Sequence, residues 1–411
     1  MRVLAVSYVL PPSLYPQAIQ VGRLLAHCSA EIGAVCGTTT GRPGLDYDFG
    51  LGKALAFRLE VSFLPRLSGL AHQLARRFAP FYARVPDEYR SWVPLAEAAI
   101  RAHLERTGFA PDVLATFGEP MSDHLVGLQL KKQMGLRWIA HFSDPWVDNP
   151  FRRRETLARH VNVRLESSVI SEADRVIFTS KETLDLVMRK YPDEWRSKAV
   201  VLPHSFDPSL YPNPIKPTGP LTVRYLGSFY GRRSPVPLFR ALKILVSREP
   251  KVLEGTRFEL IGSMPNRMRK HSSLKRLPEG LIRLRESVPY SESLKLMATS
   301  DLLLVIDAPD DLSVFLPSKL IDYLGAQVPV LGIVPPGAAA KLLARLDAPA
   351  IDPRNPEQVA SALRSMLGQA ANRRHAASWL PWGKNSVASE FHVKNITAAF
   401  SRIIQQTARP N

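Results

Sequence analysis

Residues 316–335, LPSKLIDYLGAQVPVLGIVP, read as a loop, a short helix opening at Ser318, a turn at Gly325 and an apolar strand from Val328 to Val334. Pro317 restrains the approach, the Ser318 hydroxyl can cap the first amides, and Lys319 and Asp322 share a helical face opposite Leu320, Ile321 and Leu324. The amides and positive dipole end of such a helix favour an anion, and Lys319 adds a full charge. A carboxylate one turn further in can accept hydrogen bonds from sugar hydroxyls. Phosphate at the opening and hydroxyls at Asp322 imply a nucleotide diphosphate-sugar as the ligand chemistry.

A helix followed by a buried strand recurs on both sides of this segment. In the first half, apolar strands at Val3 to Val9, Ile32 to Cys36, Val113 to Thr116, Trp138 to Phe142 and Arg175 to Thr179 alternate with helical stretches at Ala18 to His27, Leu95 to Thr107, Ser122 to Met134 and about Phe151 to Ser171. Residues 41–95 are less regular, rich in glycine, proline and arginine. Pro203, Pro208, Pro212, Pro214, Pro217 and Pro220 can continue neither a helix nor a central strand, so the linker is expected there. Beyond it the rhythm restarts, with strands at Val223 to Leu226, Phe258 to Gly262, Leu281 to Leu284 and Leu302 to Ile306. Such alternation predicts an α/β chain of two Rossmann-like domains with parallel sheets. Their expected limits are 1–205 and 220–384, with a last helix at 385–408. No fixed-period repeat or low-complexity tract interrupts the pattern.

With 411 residues and 45% hydrophobic content, the chain can fill more than one core, which excludes a disordered class. Lys and Arg number 54 against 37 Asp and Glu, a formal charge of +17 that favours anionic partners. Cys28 and Cys36 offer neither a disulfide framework nor metal-ligand spacing, so a reducing cytoplasm is the expected compartment. The N-terminal apolar run meets Pro11-Pro12 at once and lacks a small-residue cleavage site, reading as a first strand rather than a signal peptide. No apolar run reaches the length of a membrane span, so any membrane contact is expected to be peripheral, on the inner face.

The block Pro317 to Ala326, followed by Val328-Pro329-Val330, resembles the Pro-Ser-Lys-x-x-Glu-Tyr-x-Ala/Gly block of retaining glycosyltransferases with the GT-B fold, especially glycosyltransferase family 4. The resemblance implies two Rossmann-like domains facing across a cleft, an N-terminal acceptor domain and a C-terminal donor domain, with the final helix returning to the first domain. It implies metal-independent transfer from a nucleotide diphosphate-sugar, a substrate and not a cofactor, to a hydroxyl of a glycan or lipid-linked saccharide.

Site residues follow from the same comparison of motifs. GSFYGRRSP, residues 227–235, is similar to the family's glycine loop: Gly227 lets the backbone approach the donor, and Arg232 and Arg233 supply fork-shaped donors for the diphosphate. Lys319 completes the cationic set with Ser318 at the helix opening, and Gly262 and Tyr290 fall where the family meets phosphate and base. Asp322 occupies the place of the glutamate associated with the donor ribose. Eight residues earlier the family's other glutamate is replaced by Val314, although Asp310 and Asp311 are close by. In the first half, FSDPW, residues 142–146, resembles an acceptor-side segment: Asp144 would orient or deprotonate the acceptor hydroxyl and Trp146 would stack on a sugar. Gln17 lies where the family's acceptor-side loop belongs, without its paired glycines. His124 and His141 are nearby, but a lone histidine is more often structural.

Other readings stay open at this stage. Asp46-Tyr47-Asp48 has the form of a metal-binding triplet but follows no apolar strand, so no metal is expected. Basic clusters at Arg76-Arg77, Arg152 to Arg154 and Arg267 to Lys275 suit solvated faces or an anionic membrane surface, and no nucleic-acid-binding motif accompanies them. A sugar-nucleotide epimerase or a noncatalytic nucleotide-sugar binding protein would share the donor pattern.

Overall fold

The computed structural model describes residues 1–38, 48–62, 74, 85–151, 156–213, 216–376 and 381–409. Asp46, Tyr47, Arg76, Arg77 and Arg152 to Arg154 lie outside them. The chain forms two compact units, one of residues 1–204 with 393–411 and one of residues 205–392.

The first unit is built on strands β1 (Arg2–Val6), β2 (Glu31–Gly37), β3 (Leu55–Val61), β4 (Val113–Gly118), β5 (Arg137–Phe142), β6 (Arg175–Phe178) and β7 (Ala199–Val201), in the spatial order β3-β2-β1-β4-β5-β6-β7. Every neighbouring pair is parallel. Alternate residues of each strand enter two different cores. Leu4, Val6, Leu114, Trp138, Ala140 and Phe142 pack with helices Val93–Thr107 and Ser122–Met134. Val3, Ala5, Val113, Ala115, Phe117 and Ile139 face Val21, Leu24 and Leu25 of helix Pro16–Ala26. Burial on both faces explains the near-continuous apolar runs. Ile396, Phe400, Ile403 and Ile404 of helix Val393–Ala408 complete this second core. β3 was unforeseen, because its Arg58 and Glu60 interrupt the apolar pattern of an edge strand.

The second unit carries β8 (Leu221–Leu226), β9 (Thr256–Ile261), β10 (Ile282–Arg285), β11 (Leu302–Ile306), β12 (Val330–Ile333) and β13 (Ala350–Ile351), ordered β10-β9-β8-β11-β12-β13 and again all parallel. Val223, Tyr225, Leu302, Leu304, Ile306, Leu331 and Ile333 form one core with helices Val236–Arg248 and Pro356–His375. In each sheet the strand order reverses beside the first strand of its unit, between β1 and β4 and between β8 and β11. Open α/β sheets bind ligands beyond the carboxyl ends of the strands at such a reversal.

Two local expectations need correction. The helix of the opening segment spans Ser318–Ala326, and its cap position belongs to Pro317, which offers no side-chain bond. Ser318 is therefore the first helical residue and not the cap. The turn falls at Gln327, with φ of 54°, instead of Gly325. Gly325 lies within the helix, where its missing side chain admits the Tyr211 ring: a Cβ there would lie 2.4 Å from it.

Candidate active site

At the reversal in the second sheet, β8 runs into Gly227 and β9 into Gly262, with φ of 145° and 138°. Both values belong to glycine's territory. The two loops press together: the Gly227 N–H donates to the Ile261 carbonyl at 2.8 Å and the Phe229 N–H to that of Ser263 at 2.9 Å. A Cβ on Gly262 would fall 2.3 Å from the Gly227 carbonyl oxygen. On Gly227 itself, a Cβ would fall 2.3 Å from Lys319 Nζ.

Lys319, in the first turn of its helix, reaches back over β8. Its Nζ donates to the Tyr225 hydroxyl at 2.7 Å and lies 4.2 Å from the centroid of the same ring. Tyr225 is fully buried and stacks on Phe229 with centroids 4.4 Å apart, which fixes the platform under the ammonium. The Lys319 side chain is partly exposed. Its surroundings still hold the ammonium well below the usual lysine range, first through burial and then through the Arg233 charge, with Asp307 opposing.

Arg233 is buried and fully braced. Its Nε and Nη2 donate to Asp307 Oδ1 at 3.1 and 2.9 Å, and its Nη1 to the Tyr230 hydroxyl at 2.9 Å. Asp307 directly follows β11 and also accepts from the Ala308 N–H and Ser313 Oγ, each at 2.8 Å. Burial opposes the Arg233 charge most strongly of any single influence, but Asp307, Tyr230 and Tyr225 together outweigh it and raise the pKa above the ordinary arginine value. Arg232 is separate from this group. It is more than half exposed, pairs with Asp310 and donates to the Pro309 carbonyl at 2.9 Å.

Asp322 and Tyr290 come together as buried neighbours, the phenol donating to Asp322 Oδ1 at 3.3 Å. The Asp322 backbone carbonyl accepts from the Tyr211 hydroxyl at 2.8 Å. Val314 is buried, so an apolar side chain occupies the position compared with a glutamate.

In the first unit, Gln17 joins two strand ends. Its Nε2 donates to the Gly118 carbonyl at 3.2 Å, and its Oε1 accepts from Ser143 Oγ, the residue before Asp144. Asp144 is partly exposed at the carboxyl edge of β5. Trp146 is not a stacking platform: it is fully buried, and its indole N–H donates to Asn162 Oδ1 at 3.1 Å. Its ring packs in the protein core, which corrects the expectation of sugar contact. His124 and His141 are also buried. Burial, and for His124 also His141, lowers their pKa values to about 3 and about 4.

Sequence reasoning missed Asp307 and Tyr225. Asp307 carried the same signal that singled out Asp144, an aspartate ending an apolar strand. Tyr225, inside the strand, looked like core. Among the described residues, no group of three or more His, Cys, Asp or Glu is placed to hold a metal ion, and no helix is long and apolar enough to cross a membrane.

Residues 23–204 match the glycosyl transferase 4-like domain family. No curated protein matches the chain in sequence. Among solved structures, it is similar to a sucrose-phosphate synthase from Thermosynechococcus elongatus, with TM-score 0.70 and 15% identity over 98% of both chains. It is also similar to Anabaena Alr3699/HepE in complex with UDP and glucose, with TM-score 0.67 and 14% identity over 99% of this chain and 100% of the other. A putative UDP-N-acetylglucosamine 2-epimerase from Listeria monocytogenes gives TM-score 0.58 and 13% identity over 100% and 98%. These likenesses establish the GT-B fold.

Proposed function

We infer that this chain, whose residues 23–204 match the glycosyl transferase 4-like domain family, is a glycosyltransferase that moves a sugar from a nucleotide diphosphate-sugar to a hydroxyl of a glycan or lipid-linked saccharide, retaining the anomeric configuration. The observation carrying this reading is the seating of Lys319 Nζ against Gly227 and Tyr225 at the strand reversal, with Arg233 held by Asp307 on the loop that leaves the same strand. The glycine loops admit a diphosphate close to the backbone, and fixed cations meet the charge that grows on it as the glycosidic bond breaks. The reaction is thereby served without a metal. Such preorganised stabilisation is worth about 3–4 kcal/mol per donor group.

Arg233 fixes the field at the site through its bonded orientation, while exposed Arg232 exchanges Asp310 for phosphate. Asp322 and Tyr290 receive the ribose and base end, with Ser318 at the helix opening. On the acceptor side, Asp144 orients the attacking hydroxyl and Gln17 holds the loop end that presents it. A uridine nucleotide is the first donor to try, since HepE holds UDP and glucose in a similar fold. We place the enzyme in the cytoplasm, its basic surface drawn to anionic membrane where lipid-linked acceptors reside, with no role for nucleic acid.

The test is transfer from UDP-sugars to a hydroxyl acceptor by the native protein and by Lys319→Ala and Asp144→Asn. Both variants should lose at least about a hundredfold in kcat; unchanged rates in both would remove these assignments. The fold likeness to a putative 2-epimerase supports a second reading. Incubation without acceptor separates the two, because only an epimerase would yield an isomeric sugar nucleotide. Binding without turnover in either assay would instead make the chain a noncatalytic nucleotide-sugar binder, a reading that buried Val314 favours.

A further inference from the structure

Two basic side chains, Arg233 and Lys319, feel the charge of one carboxylate at the end of β11, and only Arg233 is paired with it. Asp307 is wholly committed: Oδ1 accepts from Arg233 Nε and Nη2 and from the Ala308 N–H, and Oδ2 accepts from Ser313 Oγ. Lys319 has no carboxylate partner among the described residues, and its recorded hydrogen bond goes to a phenol, Tyr225. An ammonium has three N–H donors and, where burial limits its access to water, draws on acceptors or an opposite charge. The titratable and charged groups facing it are Tyr225 on β8, Arg233 on the following loop with Tyr230 beside it, and Asp307 beyond β11. On its own helix, Asp322 is engaged by Tyr290. One carboxylate therefore balances one guanidinium, and among the described residues no carboxylate pairs with the lysine.

We infer that Lys319 rests as the neutral amine and takes up a proton from solvent when a diphosphate enters, so that donor binding at this site is coupled to protonation. The inference rests on the donor-site reading above and adds the charge state from which binding starts. The amine lone pair accepts the proton from buffer, and the incoming phosphate oxygens become the counter-ion. No other bond changes. The depression of the Lys319 ammonium by burial and by Arg233 agrees with this arrangement. Arg233 cannot play the same part, because a guanidinium keeps its charge at all ordinary pH.

Calorimetry of UDP binding at pH 8, in buffers of differing protonation enthalpy, counts the protons exchanged. The native protein should take up about one proton more per UDP than Lys319→Arg, whose side chain is charged before and after. Equal uptake by the two proteins, with UDP bound by both, overturns this inference and leaves the donor site standing. Absence of UDP binding to the native protein overturns both. Competitive acetylation of the ligand-free protein gives an independent readout. Half-maximal reactivity of Lys319 should come at lower pH than for the surface lysines, and a common midpoint would overturn the inference whatever the accessibility of the amine.

Discussion

Arg233 and Asp307 form a buried ion pair in which two guanidinium nitrogens, Nε and Nη2, donate to a single carboxylate oxygen. The second oxygen is held by Ser313, so the pair is oriented from both sides. Asp307→Ala should destabilise the second unit by about 3–5 kcal/mol, the usual consequence of leaving one member of a buried pair uncompensated. Urea unfolding measures it. A change no larger than that of an exposed pair, about 1 kcal/mol or less, would show that the guanidinium finds another partner.

Gly227→Ala tests the close approach of loop and lysine. The new Cβ would meet Lys319 Nζ and adopt a dihedral that side chains avoid, at a strain cost of about 1–3 kcal/mol. UDP affinity, read by calorimetry, should fall by at least about tenfold. An unchanged affinity would mean that the ammonium is not needed where it sits.

Acid should weaken the first unit through His124 and His141. Their folded values of about 3 and about 4 lie below the ordinary 6.5, so between these limits the unfolded chain binds more protons and stability falls as pH drops from about 6.5 toward 4. Buried Asp123 acts in the opposite sense, because burial raises its pKa well above the ordinary value and favours the folded state at low pH. With His204, whose value burial lowers to about 3, three bases outweigh one acid. The denaturation midpoint should therefore be lower at pH 5 than at pH 7.5, with a smaller difference in His141→Phe. A pH-independent midpoint in the native protein would contradict the burial of neutral histidines.

Trp146→Ala should cost about 3–5 kcal/mol of stability. The milder Trp146→Phe, which leaves Asn162 Oδ1 without its indole donor, should destabilise while leaving the acceptor KM unchanged. A selective rise in acceptor KM with full stability would restore the stacking role that burial rules against.

Parallel, doubly covered sheets announce themselves as continuous apolar runs, so β1, β4, β5, β8 and β11 were legible in the sequence. β3 was obscured because Arg58 and Glu60 form an ion pair on it, breaking the run without breaking the strand. The glycine turn after β8 and the helix with Lys319 were legible as well, since glycines and a helix opening leave local signatures. The partnership of Arg233 with Asp307 was not, because it joins residues far apart in sequence whose proximity depends on β8 and β11 being neighbours. Trp146 misled for a related reason: an aromatic beside a strand-ending aspartate has the same composition whether it faces solvent or, as here, Asn162.

The first unit's core includes Ile396, Phe400 and Ile404 from the far end of the chain, while the second unit is continuous from Ser205 to His392. During synthesis, the later-made unit is thus completely translated before the earlier one can complete its second core. Until residues 393–408 are made, Phe117 in the nascent first unit lacks the Phe400 ring that packs near it in the finished core.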